Sequence, residues 1–206
     1  MLDIEVYQYK LIFYKYMCIY KGMIRIVSSR FQTKNWRKDN ICNKNGQKDG
    51  SSEKYQRRLV QEITNRVCEK RNGWRINHRT LVLRKNTRPM KHEDGYDWSE
   101  DFDGFQNIGE VEVYYNFKFV CDSGGAQTRT LRDETYKFIE TQLKFLNTDN
   151  SRRVLFVNIL DGDTSYNARD KFKYLLGLEE YKECTVRCFV GDMEKFQSWF
   201  SKLFSR

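Results

Sequence analysis

VEVYYNFKFVC, residues 111–121, is rich in Val, Tyr and Phe and reads as the clearest β-strand of the chain. A period of two sorts its side chains: Val113, Tyr115, Phe117 and Phe119 on one face, Glu112, Tyr114, Asn116 and Lys118 on the other. Ser123, Gly124 and Gly125 then allow a tight turn, and Leu131, Thr135, Phe138, Ile139, Leu143 and Leu146 form the apolar stripe of a helix over about 128–146. RVLFVNIL, residues 153–160, is an unbroken apolar run of the kind a strand covered on both faces shows.

Outward from this unit the same alternation continues. A helix near 168–177, a strand near 184–190 and a helix near 193–204 follow the Asp161-Gly162-Asp163 turn. Upstream, Leu59, Val60, Ile63 and Val67 recur at helical spacing over about 53–71, where Gly73 stops the helix, and residues 74–84 suggest a hairpin. Pro89 marks a loop. The order of elements predicts an α/β fold with a central mixed β-sheet flanked by helices, over residues 53–206. Residues 1–52 are expected to be a separate N-terminal segment ending in a polar loop, 33–52, with internal Met17 and Met23 as further candidate starts.

The chain has 206 residues, room for one domain with a real core. Lys plus Arg number 37 against 28 Asp plus Glu, a net charge of +9, which attracts polyanions such as nucleic acid or acidic membrane. Lys10, Lys15, Lys21 and Arg25 interrupt the apolar-looking start, which therefore predicts neither a signal peptide nor a membrane span, and a cytoplasmic, non-secreted protein is expected. Six cysteines without a C-x-x-C pair argue against a zinc site and fit reduced thiols. His78 and His92 stand in no arrangement of a histidine-metal nuclease, and no P-loop or G-x-G-x-x-G supports nucleotide chemistry.

A lysine on a central strand is costly unless it is paired, so Lys118 needs a reason to be there. Carboxylates that hold a divalent cation beside a lysine that orients or deprotonates water are one such reason. Asp101 and Asp103, in the acidic stretch SEDFDGFQ (99–106), precede the strand, and Glu110 and Glu112 stand at its start. The competing reading is an edge strand whose Glu, Asn and Lys face is simply solvated. At the helix start, backbone N–H groups suit a phosphate. Gln127 and Arg129 suit adenine and guanine edges, Thr128 lies between them, and Arg132 suits the DNA backbone. Against this, Arg129 and Arg132 could pair with Asp122, Asp133 or Glu134 and only fasten the helix. Glu62, on the early helix, reads as a surface residue.

The segment NFKFVCDSGGAQTRTLRDETYKFIE with the upstream EDFDGFQ resembles a group of type II restriction endonucleases of the PD-(D/E)xK nuclease superfamily. The resemblance covers residues 97–160, and GGAQTR is its most specific run. It implies a restriction-endonuclease-like core and Mg2+-dependent cleavage of double-stranded DNA at a short palindromic site. Asp103, Asn116 and Lys118 would be catalytic, and Asp103, Glu112 and Asp101 would be the metal-binding acids. A homodimer would match a two-fold site, and a cognate DNA methyltransferase would accompany the enzyme. Asn116 departs from the motif, which places Asp or Glu two residues before the lysine. Either its amide oxygen serves, or Glu112 or Glu110 supplies the charge; a catalytically inactive DNA-binding derivative is the alternative.

Overall fold

The computed structural model describes residues 51–86, 97–120 and 129–204. Its centre is a four-stranded mixed sheet in the order β3-β4-β5-β6. Strand β3 is Gly104–Ile108 and β4 is Val111–Phe119, an antiparallel pair joined by the Gly109–Glu110 turn. Gly109 has φ +64°, a left-handed conformation that glycine adopts without steric cost. Strands β5, Val154–Asp161, and β6, Cys188–Gly191, run parallel to β4. The α/β class and the mixed, helix-flanked sheet expected from the element order are therefore observed.

The faces of β4 sort as the period of two predicts. Val113, Tyr115 and Phe117 join Leu155, Val157 and Ile159 of β5 in a core covered by α1, Ser51–Thr64, and the C-terminal helix α5, Met193–Phe204. Tyr114 joins Phe156 and Leu160 in the opposite core. That face is covered by α2, Tyr136–Thr148, and α4, Arg169–Leu176. The two-stranded hairpin of β1, Trp74–Ile76, and β2, Leu83–Lys85, lies beside it, as its sequence suggested. Every residue of β5 is buried, which explains why its sequence is a continuous apolar run rather than an alternating one. Phe156 stacks on Phe102 with ring centroids 5.3 Å apart and meets Phe145 edge-on at 5.6 Å.

Several boundaries differ from the sequence expectation. The first helix ends at Thr64, not near residue 71, because Asn65 turns to φ +52° and the chain continues extended, with Glu69 bridging to Phe105. The helix expected from residue 128 begins as a π-helical turn, Thr130–Thr135, and becomes α-helical at Tyr136. The helix expected near 168–177 is present as α4, and a short helix not anticipated by the sequence, α3, Asp163–Asn167, precedes it. The strand expected from 184 starts only at Cys188, since residues 185–187 form a 3-10 turn. Strand β3 itself, GFQNI, is absent from the sequence expectation. Pro89, His92 and the Gly124–Gly125 turn lie outside the described residues.

Candidate functional site

The hairpin of β3 and β4 places Asp103 and Lys118 at one end of the sheet. Asp103 lies one residue before β3, where its N–H donates to the Tyr115 carbonyl at 2.8 Å. Its Oδ2 accepts the Phe117 N–H at 2.7 Å, so its carboxylate is fixed to β4 one residue before Lys118. Lys118 Nζ donates to Glu100 Oε2 at 2.8 Å in a half-buried ion pair.

Helix α1 closes the site from the other face through three contacts. The Glu53 carboxyl lies against the Asp103 side chain. Arg57 Nη2 donates to the Asp103 carbonyl at 2.7 Å, with its guanidinium 5.9 Å from the centre of the Phe117 ring. Gln56 Nε2 reaches the Lys118 carbonyl at 3.3 Å.

The electrostatics follow from this crowding. Burial, then the hydrogen bond and charge of Glu53, push Asp103 well above the ordinary carboxylate range, against the Lys118 charge and the Phe117 N–H. Negative charge crowded at Asp103 by burial and by Glu53 is the kind a bound cation offsets. Burial alone would lower Lys118, but Asp103, Glu100 and Glu53 outweigh it and the net shift is upward. Lys118 is therefore an ammonium at neutral pH, able to orient water and offset negative charge but not to take a proton from it.

Asn116 is fully buried on the Lys118 face. Its Nδ2 donates to Asn158 Oδ1 at 3.0 Å, and Asn158 exchanges bonds of 2.7 and 3.1 Å with Gln142 of α2. Asn116 Oδ1 has no hydrogen-bond partner among the described residues. The backbone of Asn116 follows the Gly104–Tyr115 pair, but its side chain is turned into the buried network under α2, on the sheet face opposite the one α1 covers.

The remaining sequence candidates separate. Asp101 is turned away from Lys118: its Oδ2 accepts the Gly73 N–H at 3.0 Å and its Oδ1 pairs with Arg75 at 3.3 Å. Glu112 shares the face of Lys118 but sits six residues back along β4, about 20 Å away at the rise of an extended strand, where it accepts the Tyr114 hydroxyl. Glu110 pairs with Arg153 at 3.1 Å beside that same far end. Neither glutamate can complete a site with Asp103 and Lys118. Gln127 and Thr128 lie outside the described residues. Arg129 and Arg132 are at the surface, and among the described residues neither guanidinium has an ion-pair partner; Asp133 pairs with Lys171 instead. Glu62 pairs with Arg58 on the exposed side of α1, and His78 bonds Thr141 at 2.9 Å, far from the lysine's contacts.

Glu53 and Glu100 are the residues that sequence reasoning missed. The signal for Glu53 was faint but present in α1, where Glu53, Gln56, Arg57, Val60 and Thr64 recur at helical spacing, so polar side chains occupy the inward stripe of its first two turns; Glu100 stands in the acidic stretch SEDFDGFQ.

Among the described residues no group of three or more His, Cys, Asp or Glu side chains is placed to hold a metal ion. Mg2+, however, is commonly held by one or two carboxylates with the balance of its oxygens from water and substrate phosphate. Glu53 and Asp103 fit that donor set.

A second acidic pair lies behind Gln56. Asp161, fully buried at the end of β5, accepts Gln56 Nε2 at 2.8 Å and the Met193 N–H at 3.1 Å. Burial pushes it up to about 7, with nearby Asp192 adding to the rise. Asp192 itself is pushed up to about 6, again mainly by burial. Both folded values exceed the unfolded one near 3.8, so each contributes stability that is fully present below 3.8 and lost as pH rises through 6 and 7. The urea midpoint should therefore fall between about pH 4 and about pH 7, and Asp161→Asn should flatten that fall. An unchanged slope in the variant would mean that Asp161 ionises without cost.

Comparison with protein-family models, with curated proteins and with solved structures finds no match. No helix among the described residues is long and apolar enough to cross a membrane.

Proposed function

We propose that this chain is a type II site-specific deoxyribonuclease that hydrolyses phosphodiester bonds of double-stranded DNA with Mg2+. The observation that carries the reading is the meeting of Asp103, Lys118 and Glu53 at one end of an antiparallel hairpin. Two neighbouring carboxyls beside a retained ammonium suit a cation-assisted attack on an anionic ester. The mixed sheet and its flanking helices suit the restriction-endonuclease-like core that the motif resemblance implies. The charge of +9 suits a DNA partner.

In this mechanism Glu53 and Asp103 would hold the metal. When bound, Mg2+ offsets phosphate charge and acidifies water. Lys118, held by Glu100, orients the attacking water and stabilises charge that builds on the phosphoryl oxygens. The water oxygen forms the new P–O bond as one ester P–O bond breaks. Its proton passes to solvent, and the leaving oxygen is protonated in turn. Arg129 and Arg132, at the surface, contact DNA, and a homodimer cuts both strands of a palindrome, with a cognate methyltransferase protecting host sites.

The second reading is a DNA-binding protein that no longer cuts. It is favoured by Asn116, whose amide nitrogen is committed to a buried network where the motif has a carboxylate. Incubation of the purified chain with a plasmid of known sequence and Mg2+ separates the two. Discrete fragments support the nuclease; duplex binding without fragments in Mg2+ or Mn2+ supports the inactive binder.

A further inference from the structure

We infer that Gln56 is a positioning residue for Lys118: its side-chain amide holds the lysine's backbone carbonyl, and Asp161 fixes which way that amide points. The inference rests on the nuclease reading of Lys118. Gln56 is fully buried, and its Nε2 faces three acceptors: Asp161 Oδ2 at 2.8 Å, the Lys118 carbonyl at 3.3 Å and the Ile159 carbonyl at 3.5 Å. The amide orientation follows from the two backbone carbonyls, because its oxygen in that place would face two obligate acceptors, the carbonyl oxygens of Lys118 and Ile159. The opposite end carries the same constraint, since Gln56 Oε1 is buried with no hydrogen-bond partner among the described residues. An orphaned buried acceptor costs stability, so the orientation is maintained against a local penalty by what the nitrogen holds.

That amide ties together the two strands that define the site. Lys118 and Leu160 are registered across the β4–β5 ladder, and Ile159 and Asp161 flank Leu160. Asp161 is in turn anchored by the Met193 N–H at the start of α5. Gln56 also lies three residues from Glu53 and next to Arg57, the two α1 residues that grip Asp103. One helix face thus registers both halves of the site, Asp103 by Glu53 and Arg57, and Lys118 by Gln56. The docking of α1 does not itself depend on Gln56, because Val60 is fully buried in the same core, with Leu59 and Ile63 packed against it.

The test is Gln56→Met, which keeps the length of the side chain and removes the donor, alongside Asp161→Asn. In the second variant the new amide nitrogen at position 161 competes for the Gln56 oxygen and turns the Gln56 amide over. Both variants should lower kcat for duplex cleavage about tenfold while KM for DNA stays within about twofold, the split expected of a misplaced reacting group. A readout independent of cleavage is the NMR signal of 13C-dimethylated Lys118, assigned by its loss in Lys118→Arg, which should shift in both variants. If wild-type protein cuts no DNA, the nuclease reading fails and the lysine signal still decides the positioning. An unmoved Lys118 signal, or a kcat equal to wild type in a folded variant, overturns it. Should Gln56→Met fail to fold, Asp161→Asn alone decides by the same two measurements.

Discussion

Lys118→Ala is expected to remove Mg2+-dependent duplex cleavage, lowering kcat by about a thousandfold or more, while DNA binding stays measurable. The size follows from the state of the lysine. Asp103, Glu100 and Glu53 together hold it cationic despite its burial, so its loss leaves a site of carboxylates facing an anionic ester. Folding should survive, because Glu100 is itself about a third exposed and can rehydrate when its partner goes. Cleavage assays and anisotropy titration with a labelled duplex read the two effects separately. Full activity in the variant would sink the assignment. Binding that weakens with salt in both proteins, with no cleavage in either, moves the conclusion to the inactive DNA-binding reading.

The parts of the molecule that were legible in sequence are those where local pattern and tertiary role coincide. Strand β4 alternates because both its faces pack, one on α1 and α5 and the other on α2, and its large Val, Tyr and Phe residues suit a pleated surface. Strand β5 is legible as an apolar run because helices cover it on both sides. Strand β3 is not, since GFQNI places at its inward positions Gly104, whose Cβ would meet Cys68 Sγ at 2.8 Å, and Gln106, which bonds Thr64 and the Tyr115 hydroxyl. Its identity comes from pairing with β4, which no local window contains.

The site divides along the same line. Asp103 and Lys118 were expected together from the motif resemblance and lie close in the structure, but a further acid was sought by face rather than by distance. Glu112 has the right parity and the wrong end of the strand. Asp101 has the i, i+2 spacing, yet it precedes the strand, where alternation has no force, and it turns to Arg75. Glu53 lies 50 residues before Asp103 and reaches it only because α1 packs across the sheet. What would have pointed to it is its position on the inward stripe of α1, where a carboxylate is costly unless it has a partner or a ligand.

Gly162→Ala should be the most destabilising small substitution near the site, by about 3 kcal/mol or more. Gly162 follows β5 with φ +101°, and a Cβ there would lie 2.2 Å from the Val120 carbonyl oxygen and 2.6 Å from its carbon. Both are backbone atoms that cannot swing aside. Val120 donates its N–H to the Asp161 carbonyl at 3.0 Å and accepts the Thr164 N–H at 3.2 Å, so displacing it opens the β4–β5 ladder at its last pair. Gly109→Ala is the control: its φ of +64° is also left-handed, but nothing lies within 4 Å of the added carbon, and it should cost about 1–2 kcal/mol. The difference in urea-unfolding free energy between the two variants isolates the clash from the backbone preference. Because Val120 is two residues from Lys118 and Gly162 adjoins Asp161, the same substitution should also disturb the Gln56 contacts and depress cleavage in whatever fraction remains folded. A cost no greater than that of Gly109→Ala would mean that the turn relaxes without moving β4, and that the geometry around Lys118 is held by the sheet rather than by the Asp161-Gly162 turn.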